Sequence, residues 1–75
     1  FRNYIMTKNK YTIKRWKNEK EWNEGNSSDS SPVDNTRNID DLIDFETARI
    51  YNSEIVHFEI YETESGETYY HSNEE

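Results

Sequence analysis

Two histidines, His57 and His71, lie near Glu59 and Glu62 in the last third of a 75-residue chain. Imidazole and carboxylate are ligands that a zinc site draws on, provided they converge on one point. Residues 54–62 alternate in period two, Ser65-Gly66 is a two-residue turn signal, and residues 68–71 return as a partner strand. That register puts His71 opposite Ile60, on the face away from His57. The two imidazoles then read as separate surface or edge histidines. Asp40, Asp41 and Asp44 form a second titratable group, yet they lack the Asp-x-Asp-x-Asp-Gly loop of a calcium site. Four of the seven serines gather in one loop with no histidine beside them, and two distant glycines make no phosphate cradle. The sequence therefore assigns no catalytic, metal or cofactor-binding residue. The chain is expected not to be an enzyme and to use no cofactor.

Charge is the more informative chemistry. Arg2, Lys8, Lys10, Lys14, Arg15, Lys17 and Lys20 crowd the first twenty residues against Glu19 alone, whereas the remainder sets two arginines against fifteen carboxylates. The basic third also interleaves rings, as in Lys14, Arg15, Trp16, Lys17 and Trp22, a combination that suits a groove for single-stranded nucleic acid. The plainer alternatives are that Tyr11 and Ile13 pack inward while the lysines face solvent, or that this positive stretch docks against acidic parts of its own fold or of a twin subunit. The acidic part offers the complement. Asp40, Asp41, Asp44, Glu59 and Glu62 form a negative surface fit for the basic cleft of a protein that handles nucleic acid. Tyr61 and Tyr70 face each other across the last hairpin in the register above, as an aromatic pair or as anchors for a partner.

These residues need elements to hold them. Tyr11–Trp16 alternates rings and aliphatic residues with polar ones and reads as a strand. Its partner is either residues 21–24 after a turn at residues 17–20, or residues 3–7 folded back around residues 8–10. Residues 25–37 hold four serines and the single proline, and are predicted to be a flexible loop or linker. Asn38 caps a helix in which Ile39, Leu42, Ile43, Phe45 and Ile50 form the core-facing stripe. Glu46 and Arg49 fall within that stripe as a pair three residues apart, either a helix-edge ion pair or a contact across a dimer interface. The expected architecture is one α+β domain over residues 1–75. It is a small antiparallel sheet of three to four strands with one helix on a face, in ββ-loop-α-ββ order.

Only 31% of the residues are hydrophobic, while aromatic residues make up 15%. So small a domain with so little apolar material is expected to lean on a partner, and a homodimer is the first expectation. Absent cysteine removes a disulfide framework and fits a cytoplasmic protein. No apolar run reaches the length of a membrane span and no signal pattern opens the chain. Met6 begins a run resembling a bacterial start, with residues 1–5 as an upstream extension, and the Asn, Lys, Ile and Tyr content suits an A+T-rich bacterial or viral genome. The function expected is that of a small acidic protein that binds another protein. It would inhibit or modulate a host factor by occlusion or charge mimicry, in the manner of viral and mobile-element counter-defence. The alternative is a nucleic-acid-binding accessory protein using Lys14, Arg15, Trp16, Lys17 and Trp22. A structural subunit of a larger assembly is the third possibility.

Overall fold

A computed structural model describes residues 9–72. The elements run β1 (Tyr11–Trp16), α1 (Glu19–Glu24), β2 (Asp29–Val33), α2 (Ile39–Tyr51), β3 (His57–Glu62) and β4 (Thr68–His71). The strands make a single antiparallel sheet in the order β2-β1-β3-β4. The fold is a small α+β arrangement with one main helix, as expected. The proposed strand pairing within residues 3–7 lies outside the described residues.

Two elements differ from expectation. Residues 21–24 are helical, because Asn18 accepts a hydrogen bond from the Glu21 amide at 2.8 Å and Gly25 ends the turn at φ 80°. The bonds Gly25 N–H to Trp22 O and Asn26 N–H to Glu21 O close a glycine C-cap. Five residues of the expected loop, Asp29–Val33, form the edge strand that pairs with β1. An edge position tolerates Pro32, which has no amide to donate and so blunts the open side.

Strand alternation divides β1 between two faces. Tyr11, Ile13 and Arg15 point toward α2, while Thr12, Lys14 and Trp16 point away. Ile13, Val33, Leu42, Ile55, Phe58 and Ile60 form the buried core between sheet and helix, flanked by Tyr11, Ile39, Ile43, Ile50 and Tyr70. Phe45, placed by its spacing in the core stripe, is instead 56% exposed. It stood at the edge of the apolar arc, and the helix turns that edge to solvent. The centre of the buried arc is occupied by Glu46, only 1% exposed.

Glu46 is satisfied from across the layers. Arg15 Nε and Nη2 donate to its two carboxylate oxygens at 3.1 and 2.9 Å, the two-pronged geometry that guanidinium and carboxylate favour. Arg15 also reaches Asp29 at 3.1 Å, and Arg49 reaches Glu46 at 3.4 Å. The hydrogen bonding to Glu46 is the largest cause holding the Arg15 guanidinium above its ordinary pKa, with Asp29 adding to it against burial. The Glu46–Arg49 pair read from helix spacing is thus one edge of a larger network within one chain. Past Tyr51 the helix stops on Ser53, a non-glycine residue at φ 64°. Ser53 N–H bonds Ile50 O and Glu54 N–H bonds Arg49 O, a Schellman ending reinforced by the Arg49–Glu54 ion pair at 3.1 Å.

Breaking the buried pair should be costly. Arg15→Met is expected to destabilise the fold by about 3–5 kcal/mol in urea denaturation, since it leaves Glu46 buried with less compensation. Adding Glu46→Leu should recover most of that loss, because Asp29 keeps solvent contact and Arg49 keeps Glu54. Equal stability of Arg15→Met and the parent would show that the pair does not hold the layers together.

Candidate functional site

α2 turns one long side to the sheet and the other to solvent. At 100° per residue, Asp40, Asp41, Asp44, Phe45, Ala48 and Tyr51 share the outward arc, and all six are exposed. Tyr51 is 83% exposed. Asn38 opens the helix by accepting from the Asp41 amide at 3.2 Å, and the first-turn carboxylates sit at the favourable end of the helix dipole. None of the three aspartates has an ion-pair partner among the described residues. The Arg37 guanidinium lies 5.9 Å over the Phe45 ring and bounds this face at one side. The result is a compact anionic surface with two exposed rings.

The other acidic residues singled out from sequence do not join it. Glu59 lies on the opposite sheet face, where it meets Lys14 at 3.4 Å and accepts from the Thr68 hydroxyl. Glu62 ends β3 and accepts from the Ser65 hydroxyl. The expected Tyr61–Tyr70 pair is also absent. Five residues, 63–67, separate β3 from β4 where a two-residue turn was expected, Glu62 N–H bonds Glu67 O, and a bulge follows between Ile60 and Tyr61. Tyr70 therefore stands opposite Ile60 and stacks on Phe58 at 5.6 Å on the helix side. Tyr61 stands opposite Thr68 on the other side, with Lys14 Nζ 5.3 Å from its ring centre.

The basic set is similarly divided. Arg15 faces the core and holds Glu46 and Asp29, while Lys17 lies 3.9 Å from Asp29. Lys14, Trp16 and Trp22 belong to the second sheet face. There Trp22, carried by α1, meets Trp16 edge-on at 5.0 Å, His57 at 4.1 Å and His71 at 5.4 Å. The changed register brings His71 opposite Glu59, so the two histidines share a face instead of lying on opposite ones. Trp16 is buried and its Nε1 has no hydrogen-bond partner among the described residues. No group of three or more His, Cys, Asp or Glu positioned to hold a metal occurs among those residues.

Two features escaped the sequence reading. The Asn18-x-x-Glu21 cap and Gly25 were legible as the ends of a short helix. The sharing of a face by His57 and His71 was not, since it depends on one bulged residue. No helix among the described residues is long and apolar enough to cross a membrane. The chain matches no family model, and no curated protein or solved structure matches it.

His57 gives this second face a titration signature. Burial is the largest influence and lowers its pKa from the ordinary 6.5; His71 acts in the same direction and Glu19 opposes them. The neutral ring is the form that folding favours. Its contribution is therefore present above the unfolded pKa and is lost as pH falls through 6.5 toward the lower folded value. Nuclear magnetic resonance titration of the His57 ring should give a midpoint below 6.5. A midpoint above it would mean that Glu19 outweighs burial.

Proposed function

We propose that this chain is a non-catalytic binding protein that inhibits or modulates a host protein, using the outward face of α2 against a basic surface that normally receives nucleic acid. The observation that carries the proposal is the grouping of Asp40, Asp41 and Asp44 beside exposed Phe45 and Tyr51, without cationic partners among the described residues. The five helix positions from 40 to 44 cover about 7.5 Å, so three carboxylates there give one charge per ~2.5 Å. Duplex DNA carries one per ~1.7 Å. A short stretch of the helix thus offers about two thirds of the linear charge density of a duplex. Long-range attraction speeds encounter, and the desolvated rings hold the complex.

Internal neutralisation of the basic third supports the same reading. Lys14, Arg15 and Lys17 each have a carboxylate within ion-pair distance, leaving less positive charge to meet phosphates. The viral or mobile-element counter-defence role belongs to this proposal, as does a cytoplasmic setting, for which the absence of cysteine is the support.

The test is co-purification from the native host with the parent chain and with the triple variant Asp40→Asn/Asp41→Asn/Asp44→Asn. A partner with a basic surface should be held by the parent and lost by the variant, and Phe45→Ala should weaken it by at least about 30-fold. Equal retention by the triple variant would refute the α2 interface. Salt-sensitive binding of labelled single-stranded DNA or RNA that vanishes with Lys14→Glu would replace the proposal with a nucleic-acid-binding role. The proposal also retains a homodimer, for which Tyr69, exposed on edge strand β4, supplies contact area. Light scattering at high micromolar concentration should return twice the chain mass; a monomer there would remove the dimer.

A further inference from the structure

Beside the start of α2 the structure forms a second feature, which shares Arg37 with the edge of the anionic face. A pocket of about 310 Å³ is lined by Lys10, Tyr11, Asp34, Asn35, Arg37 and Ile39. That volume lies at the lower end of small-molecule sites. Its charge is unusual for a chain of net −7. Lys14, Arg15, Lys17 and Arg49 have carboxylate partners, whereas Lys10 and Arg37 have none within ion-pair distance among the described residues. Two cations without an ion-pair partner among the described residues therefore line one pocket, with Asp34 beside them.

The walls are held from the backbone outward. The Lys10 amide donates to Asn35 Oδ1 at 2.8 Å, and the Lys10 carbonyl accepts from the Thr63 amide at 2.8 Å. Asn9 Nδ2 donates to Val33 O at 2.9 Å, and the Arg37 amide donates to Asp34 O at 2.8 Å. Lys10 Nζ lies 5.5 Å from the Tyr11 ring centre, and Arg37 lies over Phe45. Both cations are thus braced by rings rather than by carboxylates, which lowers the ordering cost of binding an anion. Asp34 is the opposing charge. Its carboxylate is turned into its own loop, accepting from the Thr36 amide and hydroxyl, each at 2.8 Å. The hydrogen bond from the Thr36 amide is the largest cause keeping Asp34 below the ordinary carboxylate range, with the Arg37 charge acting in the same direction, so the Asp34 carboxylate opposes the two cations.

We infer that this pocket binds a small phosphate monoester carrying a planar ring, of the size and chemistry of a nucleoside 5′-monophosphate. Lys10 and Arg37 would take the phosphate, and Tyr11 with Ile39 would supply the surface against which the ring lies. Guanidinium and ammonium groups suit a dianionic phosphate, and an aromatic wall tolerates any base.

The experiment is an amide-shift titration of the whole chain with adenosine 5′-monophosphate, adenosine and inorganic phosphate. The monophosphate should saturate at millimolar concentration or below, shifting the amides of Lys10, Asn35 and Arg37. Adenosine and phosphate alone should each bind at least about tenfold more weakly, as should the monophosphate to Lys10→Ala and to Arg37→Ala. Lys20→Ala, which removes an exposed cation outside the pocket, should leave the affinity unchanged. Asp34→Asn keeps an acceptor for Thr36 and removes the opposing charge, so it should strengthen binding severalfold. Absence of saturable shifts, phosphate binding as tightly as the monophosphate, or equal loss with Lys20→Ala would each overturn the inference.

Discussion

The contact between Arg15 and Glu46 sets the geometry that the rest of the molecule inherits. A carboxylate at 1% exposure stays charged in a protein interior only if its oxygens are met by donors. Arg15 meets both, from the central strand β1, and so fixes the rotation of α2 about its own axis. Once Glu46 points at the sheet, Leu42 and Ile50 flank it inward. Phe45, one helix position back and 100° around, must then face solvent beside the three aspartates. An apolar residue is left outside because a charged one is required inside.

The same strand explains what becomes of the polarised charge. β1 lies between two neighbours, so its alternating side chains meet elements on both faces of the sheet. Arg15 finds Glu46 and Asp29 on one face, and Lys14 finds Glu59 on the other. Lys14 and Arg15 thus meet acidic parts of their own fold, while Tyr11 and Ile13 of the same strand pack inward. Part of the acidic excess left on the surface, Asp40, Asp41 and Asp44, is displayed by α2. The cations without such partners at Lys10 and Arg37 instead line a pocket near that helix's first turn.

Legibility followed the range of the interactions. Tyr11–Trp16, the helix begun by Asn38, and the last two strands were readable because period-two or period-3.6 patterns and local caps decide them. Asp29–Val33 was not, since a serine-rich segment with proline has little strand propensity and becomes a strand only by pairing with β1. Residues 21–24 carried a cap and a glycine stop that outweigh the alternation of Trp22 with its neighbours. Among the proposed contact residues, Asp40, Asp41 and Asp44 shared a face because helix spacing alone places them there. Glu59, Glu62, Tyr61 and Tyr70 were dispersed by a five-residue connection and one bulge, because a slip of a single position moves a strand residue to the other face.

By itself the chain determined its α+β class, the start of α2, and the excess of carboxylate over cation, all of which follow from composition and from interactions a few residues long. The tertiary structure alone decided which cations were spent inside, which ring was left outside, and that His57 and His71 stand on one side of the sheet. Each of those outcomes depends on residues distant in sequence being held at hydrogen-bonding or ring-contact distance, and no local pattern encodes that proximity.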